Sequence, residues 1–307
     1  MRIGHVSAVA VLIAYATLSP PAQQFKSGTV GVRVDVLVTS GQQLVRGLQA
    51  SDFELRDEGV LQALTQVDVE EIPLNLILVF DTSGSMAGQR MQALLEASRS
   101  LLDGLRERDR VALLSFSSRV RLLAPLTSSR QQIRGALAML KPRGATSLRD
   151  AAFAGLALRQ ADPGRTLLLI FSDGADTASW LKPSAVLDSA RRTDAVVYGI
   201  GIAVAQYSTT VLRSPNGAGT RHEVMWMVRD AGKFLKNLTE ETGGRVLFAN
   251  SNQDLRAMFI QTLSEFRERY VLSYSPSGVS PTGWHRLTVK LKTKAGTVTA
   301  RRGYFAE

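Results

Sequence analysis

The sequence predicts an α/β fold in which an open, doubly wound, mostly parallel sheet is inserted in a small β-sandwich formed by the N- and C-terminal strands. Two observations predict it. In the middle of the chain, continuous apolar runs alternate with stretches whose apolar residues recur at helical spacing. At both ends, shorter stretches alternate between apolar and polar residues, which is typical of strands with one buried face.

The composition is that of an ordinary globular protein. Its 307 residues, 45% hydrophobic and 21% charged, exclude a disordered or collagen-like chain. Cysteine is absent, which excludes disulfides, thiolate metal sites and a cysteine nucleophile. The histidines His5, His222 and His285 are not at metal-ligand spacing. A metal site would therefore be built from oxygen ligands and would bind a hard cation.

The charge balance is basic. Lysine and arginine outnumber aspartate and glutamate by 37 to 27, which gives a formal net charge of +10. Such a balance favours acidic partners. The basic residues are scattered, however, and only 7% of the residues are aromatic, so the sequence offers no stacking platform for nucleic acid. We expect no specific nucleic-acid binding.

The first 22 residues have the pattern of a targeting segment. Arg2 gives a short positive region, residues 6–18 are mostly apolar, and Pro20-Pro21-Ala22 brings small residues near a cleavage point. A transmembrane helix needs roughly 20 apolar residues, more than this stretch supplies. We expect residues 1–22 to be a cleaved signal peptide, with an uncleaved anchor as the alternative. The mature chain is then periplasmic, secreted or on the cell surface, without a transmembrane segment.

Residues 25–72 are predicted to form strands. Valine occupies every second position from Val30 to Val38, which places five valines on one face of a strand. Asp57-Glu58-Gly59 predicts a turn between a strand at Phe53–Asp57 and another from Val60 to Val69. This module is too small to bury a core by itself.

Residues 73–262 are predicted to form the α/β domain. Buried parallel strands are predicted at 74–80, 111–116, 166–171, 195–200 and 245–248. Helices are predicted between and after them at 91–105, 133–140, 148–159, around Lys233 and at 253–269.

Residues 270–307 return to a strand pattern, with strands predicted at 270–274, 284–291 and 296–305. These strands are too few to stand alone, as are those of residues 25–72. The economical arrangement joins both groups in one small sandwich around the α/β domain.

Oxygen-bearing side chains occur in three loops that follow predicted strands or open a helix. Asp81, Ser83 and Ser85 follow the first strand, Thr146 precedes a helix, and Asp173 follows the third strand. Each motif alone is also typical of turns and helix caps. Because the carboxyl ends of parallel strands meet at one edge of the sheet, we expect all five side chains to converge there.

Two carboxylates and three hydroxyls suit a small, hard divalent cation. Mg²⁺ is the cation we expect, with Mn²⁺ or Ca²⁺ as alternatives. The five side chains are one ligand short of octahedral coordination, and their two negative charges do not over-neutralise the ion. The cation would therefore still attract an external carboxylate, such as an Asp or Glu of a protein partner.

The stretch Asp81-Thr82-Ser83-Gly84-Ser85, with Thr146 and Ser172-Asp173-Gly174, resembles the metal-ion-dependent adhesion site of von Willebrand factor type A (VWA) domains. The resemblance covers roughly residues 73–262 and implies the Rossmann-like fold of that family. Flanking stretches at 47–55, 241–245 and 301–305 are similar to exported bacterial proteins called VWFA-related, of the acidobacterial type.

The resemblance also implies roles for single residues. Ser83 and Ser85 would bind the ion directly, Thr146 would bind it in the ligand-bound state, and Asp81 and Asp173 would act partly through water. Asp150 would either support Thr146 or form a salt bridge with a neighbouring arginine.

We therefore expect an exported, non-enzymatic adhesion or scaffold module that recognises a partner carboxylate through the cation. The sequence lacks a Gly-x-Ser-x-Gly elbow, a His-Glu-x-x-His helix and a Walker loop. Two alternatives remain, namely a Mg²⁺-dependent hydrolase with Asp81 as nucleophile and a structural envelope protein with an idle site. The long connection at residues 202–230, with Met225 and Trp226, is either a partner loop or a mobile segment.

Overall fold

The computed structural model describes residues 31–41, 43–68, 72–158, 164–172, 176–202, 213–214, 217–218, 232–249, 251, 254–292 and 295–306. Strands β1 to β17 span, in order, Val32–Ser40, Gln43–Leu44, Phe53–Asp57, Val60–Leu61, Leu64–Asp68, Leu74–Asp81, Arg110–Phe116, Val120–Thr127, Arg165–Ser172, Val196–Ile202, Arg213–Ser214, Gly217–Ala218, Val246–Ala249, Tyr270–Tyr274, Gly283–Leu291, Thr297–Ala300 and Gly303–Ala306. Helices α1 to α6 span Gln89–Asp103, Arg130–Ala138, Leu148–Ala157, Pro183–Arg191, residues 232–241 and Asp254–Arg267.

A six-stranded sheet forms the centre of the α/β part. Its strand order is β13-β10-β9-β6-β7-β8, and every neighbouring pair is parallel except β7 and β8. All eight residues of β6 are buried, as expected for a parallel strand covered on both faces. The predicted fold class is therefore confirmed.

Helices cover both faces of this sheet. Leu76, Leu78 and Phe80 of β6 belong to a core that includes residues of α1, α2 and α6. Ile77 and Val79 point to the opposite face and belong to a second core with residues of α3, α4 and α5. The alternation along a single strand thus gives two apolar layers, and the sheet is doubly wound.

Strand β8 and helix α4 were not predicted from the sequence. Strand β8 runs antiparallel to β7 at the edge of the sheet, contains Pro125, and has mostly exposed or half-buried residues. An edge strand of this kind gives no buried apolar run. Helix α4 begins with Pro183 and buries only Val186 and Ala190, so its apolar periodicity is weak.

The two ends of the chain form the predicted sandwich. One sheet has the order β16-β1-β14-β5, with β2 paired to β1, and the other has the order β17-β15-β3-β4. Strand β1 pairs with β14 and β16, and β3 pairs with β15, so each sheet combines N-terminal with C-terminal strands. Val34, Val36 and Val38 are buried between the sheets, as their spacing predicts.

Two predicted strands of the sandwich were wrong in extent. The strand predicted from Val60 to Val69 is divided into β4 and β5, which lie in different sheets, and the strand predicted at 296–305 is likewise divided into β16 and β17. At the first crossing, the buried side chain of Gln62 donates to the carbonyl of Ser277 at 2.9 Å and accepts from its N–H at 2.9 Å. Periodicity along the chain does not show such a change of partner strand.

The sandwich and the α/β part meet around Arg269, between α6 and β14. Its guanidinium is fully buried and donates to the hydroxyl of Tyr198 at 3.1 Å and to the carbonyl of Gly243 at 2.6 Å. A Cβ at Gly244 would overlap the carbonyl oxygen of Val197, so a larger residue there would push the strands apart. The similarity at residues 241–245 thus falls on the junction between the two parts.

Some predictions concern residues outside this description. The proposed signal peptide at 1–22 is not described, and of the connection at 202–230 only Ile202, 213–214 and 217–218 are. Both interpretations stay predictions. Among the helices that the structure describes, none combines the length and the apolar composition that crossing a membrane requires.

Candidate metal centre

The carboxylate of Asp81 lies at the end of β6 and is held on both oxygens. Oδ1 accepts the N–H of Ser83 at 2.8 Å, and Oδ2 accepts the hydroxyl of Ser172, at the end of β9, at 2.7 Å. Asp81 is fully buried. The register of the parallel strands, in which Phe80 is opposite Phe171, places Asp81 and Ser172 side by side. Two of the three predicted loops are therefore joined by a side-chain hydrogen bond.

The two predicted serine ligands lie next to each other. After Ser83 the chain makes a 3-10 turn over Gly84–Met86, and the hydroxyl oxygens of Ser83 and Ser85 are 3.1 Å apart. Met86 is fully buried beneath the turn, Ser83 is buried and Ser85 is exposed. The turn thus presents two hydroxyls in a row from the buried carboxylate towards solvent.

The loop before α3 is bound to this turn through the backbone. The N–H of Gly84 donates to the carbonyl of Gly144 at 2.9 Å, and the N–H of Arg143 donates to the carbonyl of Thr82 at 2.7 Å. Gly144 has a positive φ of 79°, and a Cβ there would lie 2.6 Å from the hydroxyl oxygen of Ser118. Only glycine fits this position without strain, which explains why a glycine precedes Ala145 and Thr146.

Thr146 is buried and is held by its backbone. Its N–H donates to the hydroxyl of Thr177 at 3.0 Å, and its carbonyl accepts the N–H groups of Thr177 at 2.8 Å and Ala178 at 2.9 Å. Within the described residues, every hydrogen bond of Thr146 runs through the backbone.

A network of hydrogen bonds fixes the segment that follows β9. The Asp176 carboxylate accepts from Arg149 Nε at 2.9 Å, from the N–H of Arg149 at 2.9 Å and from the hydroxyl of Ser179 at 2.7 Å. Burial alone would raise the pKa of Asp176, but the hydrogen bonds from Arg149 and Ser179 together outweigh it and hold the pKa below its ordinary value. Asp176 is therefore ionised in the folded protein at neutral pH.

Asp150 differs from both roles that the sequence suggested. Its two carboxylate oxygens accept the N–H groups of Trp180 at 3.0 Å and Leu181 at 2.9 Å. Across the described part of the chain it bonds neither Thr146 nor an arginine side chain. It acts instead as an acceptor at the start of α3 that holds the 176–181 segment against this helix.

The described geometry joins the loops of Asp81, Ser83, Ser85 and Thr146, while Asp173 lies outside the described residues. The assignment of these five residues as metal ligands stays a prediction. The donors that are described fit a hard cation, because all are oxygens and the buried carboxylate is fixed in place. The described residues contain no group of three or more His, Cys, Asp or Glu side chains able to hold a metal.

Sequence reasoning missed the residues that position this site. Ser172 was part of a motif without a role, and the Arg149–Asp176–Ser179 network was not anticipated. The sequence does contain a signal for Ser172, because it is a polar residue at the end of an apolar strand that lies next to the strand of Asp81. Arg149 lies 27 positions before Asp176 and 30 positions before Ser179, so no local pattern reveals these contacts.

Comparison with known proteins places these loops in a family. Residues 76–175 match the model of the von Willebrand factor type A domain. An uncharacterized protein of Synechocystis sp., sll0103, is 32% identical over 132 residues, covering 41% of this chain and 30% of that protein. Inter-alpha-trypsin inhibitor heavy chain H2 of Sus scrofa is 26% identical over 203 residues, covering 60% of this chain and 22% of the other. The chain thus matches only a minor part of the length of these curated relatives.

A solved structure shares the fold. The von Willebrand factor type A protein from Catenulispora acidiphila matches with a TM-score of 0.50 and 13% identity, covering 92% of this chain and 74% of that chain. The narrower similarity to VWFA-related proteins of the acidobacterial type stays a prediction. The matched region begins within β6 and contains all five predicted ligands. This protein therefore contains a von Willebrand factor type A domain, matched over residues 76–175.

Proposed function

We propose that this protein is an exported, non-enzymatic binding module that holds Mg²⁺ with Asp81, Ser83, Ser85, Thr146 and Asp173 and recognises a carboxylate of a protein partner there. VWA domains are a family of protein-interaction and adhesion modules, and this supports a role in protein binding. The main support for a metal site is the buried Asp81 carboxylate, which Ser83 and Ser172 fix beside two adjacent serine hydroxyls.

The protein's own groups prepare the site before any ligand arrives. Asp81 is oriented by two hydrogen bonds, and the loop of Thr146 is fixed by backbone contacts to Thr82 and Gly84 through its neighbours Arg143 and Gly144. A bound Mg²⁺ would supply a positive site for a carboxylate oxygen. Because the two carboxylates of the donor set do not over-neutralise the ion, a position left open by the five ligands could accept a further acidic group.

The hydrolase alternative is less well supported. A nucleophilic carboxylate needs an oxygen that a substrate can reach. Asp81 has 0% relative exposure, and both of its oxygens accept hydrogen bonds. This environment suits a fixed acceptor better than an attacking group.

Export is supported by the sequence alone. The pattern of residues 1–22, with a positive start, an apolar stretch and small residues near a cleavage point, is that of a signal peptide. We propose a periplasmic, secreted or cell-surface location on this basis.

Calorimetric titration with Mg²⁺ tests the metal proposal. We expect a saturable heat for the wild type and none for Asp81→Ala. Asp103→Ala is the matched control, since it removes an exposed carboxylate at the end of α1 that pairs with Arg134. Circular dichroism of all three proteins checks that they are folded. Equal heats for the wild type and Asp81→Ala would exclude a metal site at Asp81, and parallel titrations with Mn²⁺ and Ca²⁺ identify the preferred cation.

A further inference from the structure

We propose that the partner is an acidic polypeptide segment that also carries an apolar side chain, and that this side chain packs on Trp180 while basic residues around the metal centre attract its acids. The inference rests on the proposed function, because it places the partner at the same edge of the central sheet. It adds the chemistry of the partner and a second contact, independent of the cation.

Basic side chains come from the described loops that follow β6, β7 and β9 and from the loop before α3. We call Arg90, Arg119, Lys141, Arg143 and Lys182 the basic rim. Arg90 donates to the carbonyl of Ser85 at 3.1 Å, and the backbone of Arg143 donates to that of Thr82. Arg119 lies in the hairpin of Ser117, whose carbonyl accepts the hydroxyl of Ser147 at 2.7 Å. All five residues except the half-buried Arg90 are exposed.

Acidic side chains do not balance this charge. The segments 82–90, 117–121, 141–150 and 176–182 contain seven Lys and Arg residues but only two acids, Asp150 and Asp176. Both acids are committed to internal hydrogen bonds, Asp150 with the backbone of 180–181 and Asp176 with Arg149 and Ser179. With the buried Asp81 counted as a third acid, the described part of this edge still carries an excess of positive charge, which steers an acidic surface towards it and disfavours a basic one.

Trp180 is the apolar element of the same surface. It is 94% exposed, although an indole is large and mostly apolar. The segment around it is nevertheless held in place, because Asp150 accepts its N–H and Asp176 binds Ser179. Phe153, 39% exposed, lies three residues after Asp150 on α3 and extends the apolar surface along the same side of the helix.

The backbone of Trp180 is fixed relative to the loop of Thr146. The hydroxyl of Thr177, three residues before it, accepts the N–H of Thr146. A tryptophan whose backbone is already held loses less conformational freedom on binding, and tryptophans dominate the energy of many protein interfaces. A carboxylate for the cation, further acids for the basic rim and an apolar side chain for Trp180 occur together in a polypeptide.

Selection from a random peptide library displayed on phage, against the purified protein in Mg²⁺, tests this inference. We expect the selected peptides to be enriched in Asp and Glu together with an apolar residue. The most strongly selected peptide is then synthesised with a fluorescent label, and its Kd is measured by anisotropy. Trp180→Ala should raise the Kd about tenfold or more, as truncation of an interface tryptophan does. Arg143→Glu should raise it about tenfold at low salt and less at high salt.

Two matched controls separate these effects from general changes. Leu61→Ala removes an apolar side chain that is 57% exposed, in strand β4 of the sandwich. Arg108→Glu makes the same charge change at an exposed residue that precedes β7, at the opposite ends of the parallel strands. Neither control should change the Kd by more than about twofold.

The outcomes distinguish this inference from the proposed function. If EDTA abolishes binding while Trp180→Ala and Arg143→Glu behave like the controls, metal-dependent binding stands and the present inference is wrong. If the two variants weaken binding and EDTA has no effect, the inference stands and the metal proposal fails. The inference is also overturned if no peptide is retained or if the selected peptides are not acidic. It is likewise overturned if heparin or single-stranded DNA displaces the labelled peptide at a lower concentration than the unlabelled peptide does.

Discussion

The carboxylate of Asp57 accepts a hydrogen bond of 2.8 Å from the hydroxyl of Tyr274, and this contact joins the two sheets of the sandwich. Asp57 is the last residue of β3 and Tyr274 the last of β14. The same carboxylate accepts the hydroxyl of Tyr304 at 2.9 Å and lies 2.9 Å from Nδ1 of His285. All four side chains are buried or nearly so, and a single N-terminal acid thus binds three residues from the C-terminal segment.

Removing this acid should destabilise the protein strongly. Asp57→Ala leaves the hydroxyls of Tyr274 and Tyr304 and a ring nitrogen of His285 buried without their acceptor, and we expect a loss of about 3 to 5 kcal/mol in the free energy of unfolding. Tyr274→Phe removes one hydrogen bond and should cost about 1 kcal/mol. Urea denaturation at neutral pH measures both values. Equal costs for the two variants would contradict a central role for Asp57.

The same cluster makes stability sensitive to high pH. Burial and the hydrogen bond to Asp57 raise the pKa of Tyr304 to about 12, and the pKa of Tyr274 is raised as well. An unfolded tyrosine has a pKa near 10, so above this pH the unfolded chain loses its proton before the folded protein does. Stability should therefore be complete below about pH 10 and fall as the pH approaches about 12.

Tyr304→Phe tests the assignment of that pH dependence. The variant has no proton to lose at this position, so its stability should fall less steeply than that of the wild type between about pH 10 and pH 12. Urea denaturation at several pH values in this interval measures the two slopes. Identical slopes would show that Tyr304 does not contribute.

The hydroxyl of Ser172 should matter for metal affinity, on the proposed function, although it is not a predicted ligand. It orients the Asp81 carboxylate through the bond to Oδ2, and loss of such a supporting hydrogen bond typically weakens metal binding about 10- to 100-fold. We expect Ser172→Ala to raise the Kd for Mg²⁺ about tenfold in calorimetry. Ser172→Thr, which retains a hydroxyl, should recover part of the affinity.

Ser98→Ala is the control for that measurement. Ser98 is equally buried, and its hydroxyl donates within α1 to the carbonyl of Leu94 at 2.6 Å. Its loss should leave the affinity for Mg²⁺ unchanged. A Ser172→Ala protein that binds Mg²⁺ as tightly as Ser98→Ala would refute the positioning role.

Two helical glycines should respond in opposite directions to alanine. At Gly135 in α2, nothing lies within 4 Å of an added Cβ, so Gly135→Ala should stabilise the protein by about 0.5 to 1 kcal/mol through helix propensity. At Gly155 in α3, a Cβ would lie 2.7 Å from Leu168 Cδ1 and 3.0 Å from Val79 Cγ2. We expect Gly155→Ala to destabilise by about 1 to 2 kcal/mol, since the helix must move away from the sheet.

Thermal and urea unfolding of the two variants measure this difference. Because both substitutions gain the same helix propensity, the difference between them isolates the packing of α3 on β6 and β9. Stabilisation by both substitutions would mean that α3 does not pack closely on the sheet.

Much of the fold could be predicted because the burial of helices and strands requires apolar residues at regular spacing along the sequence. The buried strand β6 gives a nearly continuous apolar run, and Val34, Val36 and Val38 give the two-residue period of a half-buried strand. Strand β8 and helix α4 bury too few residues to leave such a pattern. The strand predicted from Val60 to Val69 was wrong in extent because the period does not state which strand is the partner.

The candidate site was also only partly predictable from the sequence. The order of the motifs along the chain predicted which loops follow the strands, since the ends of parallel strands share an edge. It did not predict that Asp150 would bind the backbone of Trp180 and Leu181, because a carboxylate at a helix start has several acceptable donors within reach. Only the packing of the 176–181 segment selects among them.

The sequence by itself determined the α/β class, the division into a central sheet and a sandwich, and the chemistry of the predicted ligands, because these depend on residue type and spacing along the chain. Only the tertiary structure decided that Ser172 binds Asp81, that Asp57 joins the two sheets, and that Trp180 is held beside the loop of Thr146. These relationships depend on strand register and on contacts between distant segments. No local pattern encodes them, because their free energy arises only when both partners are brought together.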